Sequence, residues 1–278
     1  MNDSPIRSWP VDGDGTAGDE LATDSVGRHD PRGRRLLSVA ELARHLCYPL
    51  YGEGIDVAAL VRGCEEAVEL GLAAVVCRPE HIGDAAKRLE GTGVAAVTGL
   101  GFGRSSTSVL TEQELCEEAR LLIDRGAAEL AVIANAHRVK PDPGGGPPAF
   151  VSALVGLASA QQALGFRMRV HVEVRDLCPQ QIQSVCSVLA DAGVWMVQAG
   201  SWEDPRVSYR QLLPMREALG NTPLLKWTTP VRSVRVMLLA MSYGVDRFNA
   251  ERVTDFLNEA RQQAQLAPLA VPLAQLDY

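Results

Sequence analysis

The sequence lacks three features that would each point to a particular class of protein: a membrane-spanning apolar run, an excess of positive charge, and paired cysteines. No stretch of about 18 apolar residues occurs, and the N-terminus does not have the charged-then-apolar order of a secretory signal. The formal net charge over 278 residues is −7, which argues against a nucleic-acid or anionic-membrane partner. We therefore expect a cytoplasmic protein whose partner is a small-molecule substrate.

The six cysteines show no Cys-x-x-Cys spacing and fall mostly within apolar helix or strand patterns. This usage is typical of buried free thiols rather than of a disulfide framework. The residues concerned are Cys47, Cys64, Cys77, Cys116, Cys178 and Cys186. We expect no cofactor and no resident metal ion.

Glycine marks the end of one helix after another along the chain. Six glycines each precede a short apolar run, namely Gly71, Gly126, Gly165, Gly193, Gly220 and Gly244. Glycine just after a helix, followed by a stretch rich in Ala, Val and Leu, is typical of repeated βα units. A hydrophobic content of 46% is sufficient for one large core.

Eight strands can be traced in this pattern. They are predicted at 45–50, 72–77, 94–99, 128–134, 167–174, 194–199, 223–227 and 245–249. Helices are predicted from Ser38, where SVAE resembles a capping box, and at 56–70, 79–90, 111–125, 149–164, 179–192, 208–219, 231–243 and 251–265. The count favours an α/β fold, a (β/α)8 TIM barrel, over the alternative of an open doubly wound sheet.

The barrel is predicted as a single domain over residues 36–265. Residues 1–35 are rich in Asp, Gly, Ser and Arg and lack apolar periodicity, so we expect a disordered N-terminal extension. Residues 266–278 form an apolar, proline-broken C-terminal tail, which we expect to pack on a surface or on a partner subunit.

Functional side chains of such barrels lie at the C-terminal ends of the strands. The polar residues there are Asn135, His137, His171, Glu173, Gln198 and Lys226. His171 and Glu173 alternate with valines, which predicts that they face the barrel interior near its mouth. A buried salt bridge that only closes the lumen is the simpler interpretation, and a metal site that includes His137 is another.

Lys226 ends the apolar strand before Trp227. A lysine in a desolvated barrel has a lowered pKa, which suits a Schiff-base nucleophile or a proton shuttle. Lysines at strand ends also commonly extend to water, so both interpretations stay open.

Several stretches carry a family resemblance. They are CEEAVELGLAAVVCRPEHI (64–82), GTGVAAVTGLGFGRSSTSV (91–109), EEARLLIDRGAAELAVIAN (117–135), VHVEV (170–174) and LLKWTTPVRSV (224–234). From about residue 38 to 260 the chain resembles the deoxyribose-phosphate aldolases, (β/α)8 enzymes that form a lysine Schiff base and make or break a carbon–carbon bond. The resemblance also implies a homodimer.

The resemblance implies that the family's usual chemistry is altered here. The Schiff-base lysine of the sixth barrel strand corresponds to Gln198, and an amide cannot form an imine. The aspartate of the fourth barrel strand corresponds to Ala131. The second lysine, on the seventh barrel strand, corresponds to Lys226, the one member of that trio that is retained.

The phosphate-binding turns are also replaced. By this resemblance, Thr229-Pro230 correspond to two glycines of the family. Asn249-Ala250-Glu251 correspond to its Gly-Thr-Ser-like turn. Proline removes a backbone donor and Glu251 adds negative charge, so a phosphorylated sugar is not expected as the ligand.

We predict a binding pocket whose residues have been exchanged for others, rather than a pocket that has lost its function. Aromatic and polar residues near the strand ends are candidates to bind substrate together with Asn135 and Gln198, namely Tyr48, Arg104, Trp202 and Trp227. Ordinary core packing is the alternative for the two tryptophans.

Three functions remain open at this point. The first is an aldolase-like biosynthetic lyase or cyclase that acts on an unphosphorylated carbonyl or aromatic intermediate. In it, Lys226 is the imine-forming amine or a general acid, while His137, His171 and Glu173 move protons. The second is a catalytically silent barrel that binds a ligand or partner, and the third is a metal-dependent lyase.

The chain is expected to lack deoxyribose-phosphate aldolase activity, because the imine-forming lysine and both phosphate-binding turns are replaced. Incubation with deoxyribose 5-phosphate should release no acetaldehyde above the level of a blank in a coupled dehydrogenase assay. Release at a rate that scales with protein concentration would contradict this expectation.

Overall fold

The computed structural model describes residues 28–102, 111–134, 149–200 and 207–273. Its centre is a closed barrel of eight parallel strands in chain order, β2 to β9. The ten strands are β1 (Leu36–Leu37), β2 (Leu46–Leu50), β3 (Ala74–Cys77), β4 (Ala95–Gly99), β5 (Glu129–Ala134), β6 (Arg167–Val172), β7 (Met196–Ala199), β8 (Leu224–Trp227), β9 (Arg247–Asn249) and β10 (Leu269–Ala270). The predicted (β/α)8 barrel is confirmed.

Helices alternate with the barrel strands and surround them. They are α1 (Val39–Ala43), α2 (Val57–Glu69), α3 (Ile82–Leu89), α4 (Glu112–Asp124), α5 (Ala149–Leu164), α6 (Pro179–Asp191), α7 (Tyr209–Leu219), α8 (Val234–Ser242) and α9 (Val253–Leu266). A 3₁₀ turn, Pro79–His81, leads into α3. None of the helices that the structure describes is long and apolar enough to cross a membrane.

Several helices begin where the sequence supplies a side-chain cap. Ser38 accepts a hydrogen bond from the Glu41 amide and receives the reciprocal contact from the Glu41 carboxylate, so the predicted capping box at α1 is present. Thr111 and Glu114 form the same arrangement at α4. These contacts satisfy amide groups that have no partner within the helix.

Most of the apolar core lies between the strands and the helices. Alternate strand residues, such as Leu130, Val170 and Leu225, are fully buried in this layer against the helices. A much smaller apolar cluster lies inside the barrel and consists of Cys47, Ala74, Ala95 and Val97. Small side chains on β2 to β4 therefore leave the lumen to the polar residues of β5 to β9.

The two ends of the described chain meet below the barrel strands. Leu36 and Leu37 of β1 pair antiparallel with Ala270 and Leu269 of β10. Leu37 and Leu269 are buried in the main core. The tail predicted beyond residue 265 thus contributes strand β10 to this pair and Leu269 to this chain's own core.

Several strands and helices are shorter than predicted, and two further details differ from the predictions. The fifth barrel strand ends at Val172 rather than at residue 174, because the Leu177 amide hydrogen-bonds the Val174 carbonyl and closes a turn there. The six cysteines are free, but Cys178 is exposed and Cys116 is half-buried, so burial holds for only four of the thiols.

Gly126, which follows α4, is expected to tolerate alanine less well than Gly193, which follows α6. Both have positive φ, +98° and +72°, so alanine adds left-handed strain of about 1–2 kcal/mol at either site. At Gly126 the new Cβ would also lie 2.5 Å from the Cβ of Ala86, whereas at Gly193 no heavy atom lies within 4 Å.

Urea unfolding of Gly126→Ala and Gly193→Ala measures the difference. Overpacking against α3 should lower the free energy of unfolding of Gly126→Ala by about 1–3 kcal/mol more than that of the matched variant. Equal losses would show that the α3–α4 contact relaxes without cost.

Candidate active site

Parallel register determines which inward side chains share a level in the barrel. In a (β/α)8 barrel each level consists of four side chains from alternate strands. The middle level contains Cys47, Val97, Arg169 and Lys226. The level below contains Ala74, Glu129, Met196 and Arg247, and the level above contains Val76, Ala131, Gln198 and Asn249. The predicted site lysine therefore lies at the centre of the lumen.

A buried carboxylate balances the cations of the lumen. Glu129 forms an ion pair with Arg169, and a guanidinium nitrogen of Arg167 lies 3.4 Å from its other carboxylate oxygen. Burial alone would raise the pKa of Glu129, but Arg169, Arg167 and further cations outweigh it and hold the pKa below its ordinary value. Glu129 is therefore ionised at neutral pH.

Lys226 is the most chemically distinctive group of the middle level. Its side chain is 1% exposed. Burial and the nearby Arg169 lower its pKa to about 7, although Cys47 and Glu129 act in the opposite direction. A substantial fraction of this amine is therefore neutral and nucleophilic at physiological pH.

Cys47 is next to Lys226 in the middle level, and each of the two groups affects the pKa of the other. Burial raises the pKa of the Cys47 thiol, but Lys226, Arg169 and Arg247 oppose this and bring the pKa below its ordinary value. The thiol and the amine are therefore electrostatically coupled inside the lumen.

His171 lies on β6, one level above Gln198, and is buried. Burial, Arg169 and Lys226 hold its pKa well below the ordinary value, so its imidazole is neutral at pH 7. Glu173 follows the end of this strand, is half-buried, and its amide donates to the Ala134 carbonyl. The two predicted proton-transfer residues thus lie above Lys226, on the side where the strands end.

Two amide side chains are held around the end of β8 by Thr228. The Gln198 Nε2 donates to the Thr228 hydroxyl over 2.7 Å, and that hydroxyl donates to the Gly200 carbonyl over 2.9 Å. The Asn249 Nδ2 donates to the Thr228 carbonyl over 3.1 Å. This arrangement fixes the upper wall of the lumen next to Lys226.

Two of the three aromatic residues that were predicted to bind substrate face away from this centre. Tyr48 and Trp227 pack against the core between strands and helices. The Tyr48 hydroxyl donates to Glu66 on α2 over 3.2 Å, and the Trp227 indole donates to the Val207 carbonyl over 3.0 Å. Asn135, His137, Arg104 and Trp202 lie outside the described residues.

The structure adds residues that the sequence predictions did not include. Cys47, Glu129, Arg169, Arg247 and Asn249 all face the lumen. Arg169 extends the same period-two alternation that identified His171, so that pattern could have revealed it. Cys47 had no such signal, because an isolated cysteine in an apolar strand is normally only a packing residue.

The residues that the structure describes do not support the alternative of a metal site. Among them, no three His, Cys, Asp or Glu side chains are grouped so that they could hold a metal ion. The proposed third ligand, His137, is not among these residues.

The fold and this lumen define a (β/α)8 barrel with a buried polar centre, and comparisons with known proteins find aldolases of the same architecture. No protein-family model matches the chain. The deoxyribose-phosphate aldolase of Aciduliprofundum boonei is 25% identical over 198 residues, covering 70% of this chain and 86% of that protein. The Rhodopirellula baltica enzyme of the same name is 23% identical and covers 83% and 94%.

Solved structures show the same fold. The tetrameric deoxyribose phosphate aldolase of Aeropyrum pernix superposes with a TM-score of 0.69 at 18% identity and covers 81% of this chain and 93% of that chain. Together these likenesses show that the chain is similar to deoxyribose-phosphate aldolases at low sequence identity and shares their fold.

The charges around Lys226 are expected to control its pKa in opposite directions. Arg169→Met should raise the pKa of Lys226 above about 7, because a neighbouring cation is removed, and Glu129→Gln should lower it, because the compensating anion is lost. Arg175→Met is the matched control, since Arg175 is exposed beyond the same strand and should leave the pKa unchanged.

Nuclear magnetic resonance of ε-¹³C-lysine can measure this directly, because the chain has three lysines, Lys87, Lys140 and Lys226. Titration of the Lys226 signal, assigned with Lys226→Met, gives the pKa in each variant, and thermal unfolding checks that each variant is folded. A shift of the same sign in both charge variants would contradict the electrostatic account.

Proposed function

We propose that the chain is an aldolase-like lyase that acts on an unphosphorylated carbonyl compound, with Lys226 as the imine-forming amine. The observation that carries this proposal is the position of Lys226, which is buried at the centre of the lumen and has a pKa of about 7. A neutral amine is the species that attacks a carbonyl carbon. Lys226 can thus act as the nucleophile, whereas the amide of Gln198 cannot form an imine.

Imine formation requires proton transfers that the neighbours of Lys226 can perform. The neutral amine adds to the substrate carbonyl carbon and gives a carbinolamine, which loses its hydroxyl group as water. Cys47, which lies next to Lys226 in the middle level and is electrostatically coupled to it, can accept the proton that the attacking amine gives up. It can return a proton when the hydroxyl leaves.

Carbon–carbon cleavage then uses the imine as an electron acceptor. A base removes the proton of the hydroxyl group on the β-carbon, the oxygen of this group forms a new carbonyl there, and the electron pair of the Cα–Cβ bond moves to the protonated imine. A second carbonyl compound leaves, and an enamine remains on Lys226. Neutral His171 and the carboxylate of Glu173 lie above Lys226 and are the groups that can accept this proton.

Arg169 and Glu129 hold the reaction centre without taking part in the bond changes. Their ion pair keeps a positive charge beside Lys226, which disfavours the protonated amine. The lumen therefore favours the nucleophilic form at the pH of the cell interior.

Reductive trapping tests the covalent step. With cyanoborohydride and short unphosphorylated aldehydes such as butanal and 3-hydroxybutanal, wild-type protein should gain the mass of one reduced adduct, located on Lys226 by peptide mass spectrometry. Lys226→Met should gain none there, whereas Lys87→Arg, which alters a lysine of helix α3, should be modified like the wild type.

Adducts spread equally over Lys87 and Lys140, with Lys226 unmodified, would overturn the proposal. In that case a binding role without catalysis becomes the better explanation.

The pH dependence of trapping should follow the amine of Lys226. Its pKa is lowered to about 7, so the neutral form increases about tenfold per pH unit below this value and saturates above it. The trapping rate of wild-type protein should therefore rise from pH 5 to about 7 and level off, and Arg169→Met should move the rise to higher pH. A rise centred near the ordinary lysine pKa would exclude Lys226 as the reacting group.

A further inference from the structure

Two buried acceptor atoms in the lumen have no hydrogen-bond partner among the residues that the structure describes. They are the carbonyl oxygens of the Gln198 and Asn249 side chains. Both residues are nearly fully buried, at 2% and 4% exposed. A buried acceptor without a donor destabilises a protein, so each such atom calls for an explanation.

The orientation of both amides follows from the groups around them. The Thr228 hydroxyl donates its one proton to the Gly200 carbonyl, so it can only accept from Gln198, which must present its NH₂ group. The Thr228 carbonyl is an acceptor only, so Asn249 must also present its NH₂ group. The two carbonyl oxygens are therefore the ends left over, and rotation of either amide would lose a hydrogen bond.

The position of the two amides ties them to the proposed reaction centre. β7 and β9, which carry them, flank β8 on either side. Both residues belong to the level directly above Lys226, and Gln198 is its register partner. Ala131 and Val76 share that level and offer only small apolar side chains opposite. A ligand attached to Lys226 would extend upward past these two oxygens.

The surrounding charges decide what kind of donor these oxygens can accept from. Lys226, Arg169 and Arg247 are buried just below, and they disfavour an ammonium group at this place. A carboxylate or phosphate would bring more acceptors and no donor. A neutral hydroxyl group satisfies a carbonyl oxygen and adds no charge.

We propose that Gln198 and Asn249 form a hydroxyl-binding site above Lys226 and that the substrate is a neutral, hydroxyl-bearing carbonyl compound. This inference rests on the proposed function for the carbonyl group, but the hydroxyl site itself does not depend on imine formation. Thr228 acts as the positioning residue, because it holds the NH₂ ends of both amides and thereby directs their oxygens to the ligand.

Probes without a carbonyl group test the site separately from the imine chemistry. Butane-1,3-diol is compared with butan-1-ol, which lacks one hydroxyl group, and with 4-aminobutan-2-ol, which carries an ammonium group. Binding is followed by titration of the ε-¹³C signal of Lys226. The diol should bind about 3- to 10-fold more tightly than butan-1-ol, the value expected for one added hydrogen bond.

Variants test which residues are responsible for the preference for the diol. Gln198→Met and Asn249→Leu each remove one acceptor and should reduce the preference for the diol to within twofold of unity. Gln211→Met is the matched control, because the Gln211 amide on helix α7 also donates to a backbone carbonyl, that of Val174 over 2.9 Å, but lies outside the lumen. It should keep the full preference.

Equal binding of diol and butan-1-ol by wild-type protein, as expected if water alone satisfies the two oxygens, would overturn the proposal, and this comparison needs no variant. Tighter binding of the ammonium probe would overturn the assignment to a neutral group. Preference for the diol with no trapped adduct on Lys226 would leave the hydroxyl site supported and the proposed imine chemistry refuted.

Discussion

The ion pair between Glu129 and Arg169 is the constraint on which the lumen depends. A barrel interior that contains Arg169, Lys226 and Arg247 could not be buried without an anion, since uncompensated charges in an apolar interior are strongly destabilising. Glu129 compensates only part of this charge. The remaining positive potential lowers the pKa of Lys226. Among these three cations, Lys226 is the one whose pKa can move into the physiological range.

The side chains of the lumen lie at successive heights around Lys226. Cys47 and Lys226 are electrostatically coupled neighbours at the middle level, and the neutral imidazole of His171 lies toward the mouth. The amides of Gln198 and Asn249, held by Thr228, stand between them and present acceptors. At the position that the resemblance assigns to the family's imine-forming lysine, this chain has the hydrogen-bonding side chain of Gln198, and Lys226 lies on the neighbouring strand.

Much of the fold was predictable because βα repeats are encoded locally. Glycines after helices, capping boxes such as Ser38-Glu41, and apolar runs of strand length predicted the order and number of elements. The alternation around His171 also predicted a polar inner face on β6. The end of that strand was placed two residues too far, because the turn closed by Val174 and Leu177 depends on a backbone hydrogen bond that the alternation of side chains does not encode.

The sequence by itself determined the barrel, the polar inner face of β6 and the place of Lys226 at the end of a strand, because periodicity and glycine placement act within a few residues. The tertiary structure alone decided that Cys47 and Lys226 are partners, that Tyr48 and Trp227 face the helices, and that Gln198 and Asn249 turn their oxygens away from Thr228. These facts depend on the register between strands far apart in the chain. A shift of one residue in that register exchanges the inner and outer faces.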